Sequence, residues 1–260
     1  YNLKDRFEVH TITEDKECSI NNYNKTIKAI NKGYEIIYNG VLYDEINKIY
    51  GICDLIVRTD IIPLICNDYS FAQKNLDMKS QWYYNVVQFK YSTLNLNKNG
   101  FINKSDNSNY YKGECMLLQR ILNNIQKMNL ESYILGKYIK KDKEKYIGFK
   151  ELGIIDVSNS KDNNISNEID KALDWLKRLK DDGMNWNIKN STQIELSPNM
   201  SNNSNEWTQY KKTLATEVNE LTLLNGIGYD KKVELFNENI YTWNNKKIID
   251  KYNNLDDLIN

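Results

Sequence analysis

The apolar positions of this chain repeat with two periods. In YYNVVQFKYSTL (83–94), Val86, Gln88 and Lys90 fall on one side of an extended segment and Val87, Phe89 and Tyr91 on the other, the two-residue period of a strand. YEIIYNGVLY (34–43, with Gly40 at an expected bend), YGICDLIVRTD (50–60), ESYILGKYIK (131–140) and KYIGFKELGIIDV (145–157) are further apolar runs of strand character. Helical spacing separates them. NKTIKAIN (24–31) predicts a short helix stopped by Gly33. YYKGECMLLQRILNNIQKM (110–128) carries Met116, Leu117, Ile121, Leu122 and Ile125 as a stripe, and NEIDKALDWLKRLKDDG (167–183) does so with Ile169, Leu173, Leu176 and Leu179. The order predicts an α/β protein: a central mixed sheet flanked by helices.

The last third changes character. IELSPNMSNNSNEW (194–207) is an Asn/Ser-rich connector, so residues 1–200 are expected to form the α/β core and residues 201–260 a small helical region. There WTQYKKTLATEVNELTLL (207–224) predicts a helix, and NGIGYDKKVELFNENIYTW follows it.

Composition narrows the functional classes. At 40% hydrophobic and 27% charged, the chain has the balance of a soluble globular protein, and a formal net charge of +0 gives it no global basic field, so any polyanion-binding face must be local. Lys74, Lys79, Lys98 and Lys104 lie in polar loops and are candidates for such a face. The four cysteines, Cys18, Cys53, Cys66 and Cys115, contain no C-x-x-C pair, which argues against a zinc or iron–sulfur site and fits a reducing, intracellular setting. No apolar run has the length of a membrane span. The chain opens on Tyr1, as a piece of a longer polypeptide would.

Charges inside apolar runs point to chemistry. Asp54 sits three positions after Gly51 among Ile52, Cys53, Leu55 and Ile56, and Lys90 sits two after Gln88. If the two strands are neighbours, these side chains converge, as a site for a divalent cation and a phosphate requires. An ordinary reading stands beside it, since aspartates near strand ends satisfy turns and lysines there extend to water.

The G-x-x-D strand followed by an x-Lys strand resembles the PD-(D/E)XK nuclease superfamily, its RecB-like branch in particular, over roughly residues 24–140 and more loosely through Asn245. The resemblance implies a restriction-endonuclease-like fold and metal-dependent hydrolysis of DNA, single- or double-stranded, with Mg2+ or Mn2+ and without a membrane. It implies a cytoplasmic or nuclear location, or the virion or virus factory for a viral protein. In that family the aspartate and the acidic residue of D/E-x-K hold magnesium, while the lysine positions the attacking water. Asp54 and Gln88 thus take the metal positions, and Asp54, Gln88 and Lys90 the catalytic ones. The departure is Gln88, whose carboxamide offers an oxygen but no charge. Three readings stay open: a natural Gln-x-Lys variant, a domain that only binds nucleic acid, and a substitution that traps a complex. A structural or assembly domain of a larger, viral protein is the alternative outside this family.

Auxiliary residues follow by position. Glu35 or Glu45 would supply the family's further acid, and His10 in RFEVHTI its upstream histidine. Aligned on YKGECMLLQ, Glu114 and Leu118 replace the family's Q-x-x-x-Y pair, with Glu114 placed to compensate for Gln88 and Lys112 on the same turn placed to approach DNA. Gly226, Ile227 and Gly228 resemble the turn of a helix-hairpin-helix. Such a turn presents backbone amides to a phosphate, with Lys231 and Lys232 adding charge. A plain helix–helix turn is the other reading.

Overall fold

A computed structural model describes residues 3–66, 82–103, 106–155, 160–189 and 193–251. The chain divides into two compact units, Tyr1–Lys177 and Arg178–Asn260.

Among the described residues of the first unit, seven strands form one mixed sheet: β1 (Val9–Thr11), β2 (Ile36–Asp44), β3 (Ile49–Arg58), β4 (Tyr84–Asn95), β5 (Ser132–Lys141), β6 (Glu144–Ile147) and β7 (Gly153–Ile155). Strands β2, β3 and β4 form an antiparallel meander, β1 runs parallel to β2, and β5 runs parallel to β4. Both β6 and β7 pair antiparallel with β5, along different stretches of it. The helices are α1 (Ile20–Lys32), α2 (Ile62–Ile65), α3 (Asp106–Gln126) and α4 (Ser160–Asp182), the last running across the division between units. This is the expected α/β architecture. The run α1, β2, β3, β4, α3, β5 is consistent with a restriction-endonuclease-like fold.

Local chemistry sets the elements. Ser19 caps α1 by accepting the Asn22 N–H, and Gly33 ends it at φ 79°, a conformation open to glycine at little cost. Thr26 on α1 accepts the Val41 N–H of β2 at 2.9 Å. Over β2, β3 and the first half of β4 the sheet is buried on both faces, so neighbouring residues of one strand serve different cores. Ile37, Ile56 and Val86 join Ala29 of α1 and Cys115, Leu118 and Leu122 of α3. Ile36, Leu55 and Val87 join Ile61, Ile62 and Ile65 on the other side.

Before the β4–β5 ladder starts at Val87↔Tyr133, side chains of α3 take its place. Gln119 Oε1 accepts the Val86 N–H at 2.6 Å, and the Gln126 amide bonds both the N–H and the C=O of Tyr84 at 3.0 Å, so the exposed edge of β4 is answered by side chains.

Among the described residues, the second unit contains α5 (Thr208–Glu217), α6 (Tyr229–Asn237) and α7 (Lys246–Lys251) around Leu221, Leu224, Ile227, Leu235, Ile240 and Ile248. The helix expected over 207–224 stops at Glu217. Asn219 takes a left-handed turn at φ 53°, and Leu221–Leu223 continue as a single 3-10 turn.

Candidate active site

Strands β3 and β4 pair through their main chains from Arg58↔Tyr84 to Leu55↔Val87. At the next step, Asp54 and Gln88, side chains take over the ladder. Gln88 Oε1 accepts the Asp54 N–H at 2.8 Å, and Asp54 Oδ2 accepts the Phe89 N–H at 2.8 Å. On the other side of β3, the ladder with β2 passes from Tyr38↔Leu55 to Gly40↔Cys53. Asn39, facing Asp54 in that register, has φ 51° and donates its amide to Thr13 O at 2.9 Å. Asp54 therefore stands where both neighbouring main-chain ladders are interrupted, and its carboxylate takes up the freed Phe89 N–H with one oxygen.

Helix α3 brings Glu114 to the same point. Its carboxylate accepts from Gln88 Nε2 at 3.2 Å and from the Lys90 ammonium in a short ion pair. Lys90 also lies 5.4 Å from the centre of the Tyr111 ring. From the loop between β1 and α1, Lys16 reaches Asp54 Oδ1 at 3.4 Å. Gln88, 2% exposed, forms the floor of the cluster, whereas the Glu114 side chain is 40% exposed and opens to solvent. Gly51 explains how α3 comes so close: a Cβ there would stand 2.3 Å from Leu118 Cδ2, one turn along α3 from Glu114.

No family model matches this sequence, and no curated protein does. The site's chemistry rests on its own geometry.

The structure brings Asp54, Gln88, Lys90 and Glu114 together and leaves the other candidates elsewhere. Glu35 accepts the Glu8 N–H at 2.8 Å and faces Arg58 at 3.9 Å, at the opposite end of β3 from Gly51. His10 lies on β1, opposite Ile37, with its ring stacked on Tyr34 at 4.4 Å. Lys112 is corrected: it is buried, bonded to Asp162 at 2.8 Å and to Ile102 O at 2.7 Å, and no phosphate can reach it there. Lys232 is corrected likewise. Its ammonium is fully buried against Glu220 at 2.9 Å and the carbonyls of Ser197 and Pro198, and burial lowers its pKa. Lys231 pairs with Glu234 on the surface of α6. Gly226 has φ 86°, Gly228 caps α6, and a Cβ at either would meet nothing within 4 Å, so close packing does not require these glycines. Lys74, Lys79 and Lys104 lie outside the described residues, and Lys98 is exposed.

Two thiols lie behind the site. Burial pushes Cys115 up to about 12, and burial with the neighbouring Cys115, Asp54 and Glu114 raises Cys53 well above the usual thiol value, so both stay protonated and unreactive. Among the described residues no group of three or more His, Cys, Asp or Glu side chains is placed to hold a metal ion. The donors that do converge are two carboxylates. Magnesium is commonly held by one or two protein carboxylates and completed by water and substrate phosphate, so Asp54 and Glu114 are the residues that would hold one here. The Gln88 oxygen faces the Asp54 N–H, which makes Gln88 a brace between the two acids.

Lys16, Asn39 and Tyr111 escaped sequence reasoning. None carries a motif, and only the folded register shows that Asn39 faces Asp54 or that the loop before α1 ends over it.

Proposed function

We propose that this chain is a metal-dependent DNA nuclease of PD-(D/E)XK type, slowed by Gln88. One observation carries the reading: Asp54, Lys90 and Glu114 meet around Gln88 where β3 parts from β4. A magnesium or manganese ion, held by Asp54 and Glu114, would supply neutralisation of charge at the scissile phosphate. Lys90 does the work specific to the protein. It exchanges Glu114 for the incoming phosphodiester and donates to the attacking oxygen or to the phosphate oxygen on which negative charge grows. Gln88 fixes the spacing of the acids without adding charge. Lys16, exposed and weakly paired, is released from Asp54 as the phosphate arrives.

A domain that holds nucleic acid without cutting it is the second reading. It is favoured by the balance of charges, since Lys90 and the Gln88 amide already answer Glu114, and Lys16 with the Phe89 N–H answers Asp54. Cleavage of labelled DNA with Mg2+ or Mn2+ separates the two: cutting that disappears in Lys90→Ala supports the nuclease, while binding without cutting in every variant supports the second reading.

A further inference from the structure

Beyond the point where β3 leaves it, β4 runs on beside β5, and the β5–β6 hairpin extends this arm of the sheet. Four exposed side chains on the arm touch in series. The Lys137 ammonium lies 4.0 Å from the centre of the Tyr91 ring and donates to its hydroxyl, and it is 5.5 Å from the Tyr138 ring. Lys145 stands 4.6 Å from the other end of the series, the Tyr138 ring. Tyr91 is 87% exposed, so nearly all of its ring meets solvent. The arm is stiffly built. Asp142 and Lys143 both adopt positive φ, 48° and 72°, the mark of a two-residue hairpin turn that fixes strand register.

The arm also concentrates charge in a molecule whose net charge is +0. Residues 137–145 carry Lys137, Lys140, Lys141, Lys143 and Lys145 against Asp142 and Glu144, and Lys141 is neutralised by an ion pair with Glu151 at 2.6 Å. Alternating rings and ammonium groups match alternating bases and phosphates. An unpaired strand offers open base faces to stack on tyrosine, whereas a duplex keeps its bases inside and offers only phosphates. An acidic protein surface would use the lysines and leave the rings idle.

We propose that Tyr91, Lys137, Tyr138 and Lys145 form a stacking surface for a single-stranded polynucleotide. The inference names the strand state of the substrate and rests on the nuclease reading only for its purpose. Binding of fluorescent dT15 and U15 and of a 15-base-pair duplex, without divalent metal, tests it on the full chain. Tyr91→Ala and Tyr138→Ala should each weaken single-strand binding about 5- to 100-fold and leave duplex binding nearly unchanged. Tyr91→Phe should retain the ring's contribution. Lys137→Gln with Lys145→Gln should reduce the salt slope of single-strand binding by about 0.7 per charge removed. Comparing dT15 with U15 tells whether the strand is DNA or RNA. Exposed positions such as these leave folding intact, which a melting curve verifies. Single-strand binding that is absent from the wild type, unchanged in both tyrosine variants, or lost equally for duplex overturns the proposal. Loss of cutting with this binding retained would sink the nuclease reading alone.

Discussion

Gln88 meets three groups that a carboxylate would treat differently: the Asp54 N–H, Ile52 O at 3.4 Å and Glu114 at 3.2 Å. The side chain of Gln88→Glu keeps the first bond and turns a second anion on Glu114 in a nearly buried position. Two carboxylates that close repel, and the single Lys90 ammonium beside Glu114 answers only one of them. The substitution should therefore cost about 1–3 kcal/mol in chelator, and added Mg2+ or Mn2+ should raise its melting temperature more than that of the wild type. A melting temperature indifferent to metal in both forms would show that Asp54 and Glu114 do not hold a cation.

Single elements were legible in the sequence wherever period decided. Strands β2 to β5 and helices α1 and α3 stand where the alternation and the helical stripes placed them, and the convergence of Asp54 with Lys90 followed from two neighbouring strands. Boundaries set by tertiary contacts were not legible. The run 145–157 is divided into β6 and β7 by a 3-10 turn at Gly148–Lys150, because Gly148 packs on Gly136 so closely that a Cβ would stand 1.6 Å from its carbonyl oxygen. Strand β1 is three residues long, too short to show a period. The lysines misled because a buried ammonium looks like any other in sequence.

Gly51→Ala should press Leu118 and displace α3 with Glu114, costing about 1–3 kcal/mol by urea denaturation; Leu118→Ala in that background should recover part of the loss, and additive losses would contradict the contact. In the second unit, Lys232→Ala strands Glu220 without its partner and should cost about 3–5 kcal/mol. Lys231→Ala, which breaks an exposed pair with Glu234, should change stability by under about 0.5 kcal/mol. Equal effects of the two on stability would contradict the burial of Lys232.

For the whole molecule, pH tests the packing of the first unit. Cys53 and Cys115 hold their protons in the folded state above the ordinary thiol value of 9.0, where the unfolded chain has lost them. Their contribution is level below that value, and stability falls as pH rises above it, by about 1.4 kcal/mol per pH unit for each group. Burial raises Tyr84 and Tyr133 in the same sense, with onset at the ordinary phenol value of 10.0. Lys232 acts oppositely, its lowered pKa favouring the fold as pH rises towards 10.5. Comparing urea midpoints of wild type and Cys115→Ala at pH 8 and pH 10 isolates one thiol from the rest. The variant should lose less stability between the two values, and equal losses would mean that Cys115 is not held protonated. Charge distribution belongs to the whole molecule as well: a chain of zero net charge has no global field to draw polyanions, so the binding proposed for the β5–β6 arm has to be local.

The central claim, that Asp54, Lys90 and Glu114 form a nuclease site muted by Gln88, is tested most directly by cleavage of labelled single- and double-stranded DNA in Mg2+ or Mn2+. Wild type, Lys90→Ala and Gln88→Glu are compared side by side. The account predicts slow cutting by the wild type, at least a tenfold gain in Gln88→Glu and loss in Lys90→Ala, each factor of ten being about 1.4 kcal/mol of barrier. Cutting that survives in Lys90→Ala, or absence of cutting in Gln88→Glu while that variant binds metal and DNA, would contradict it.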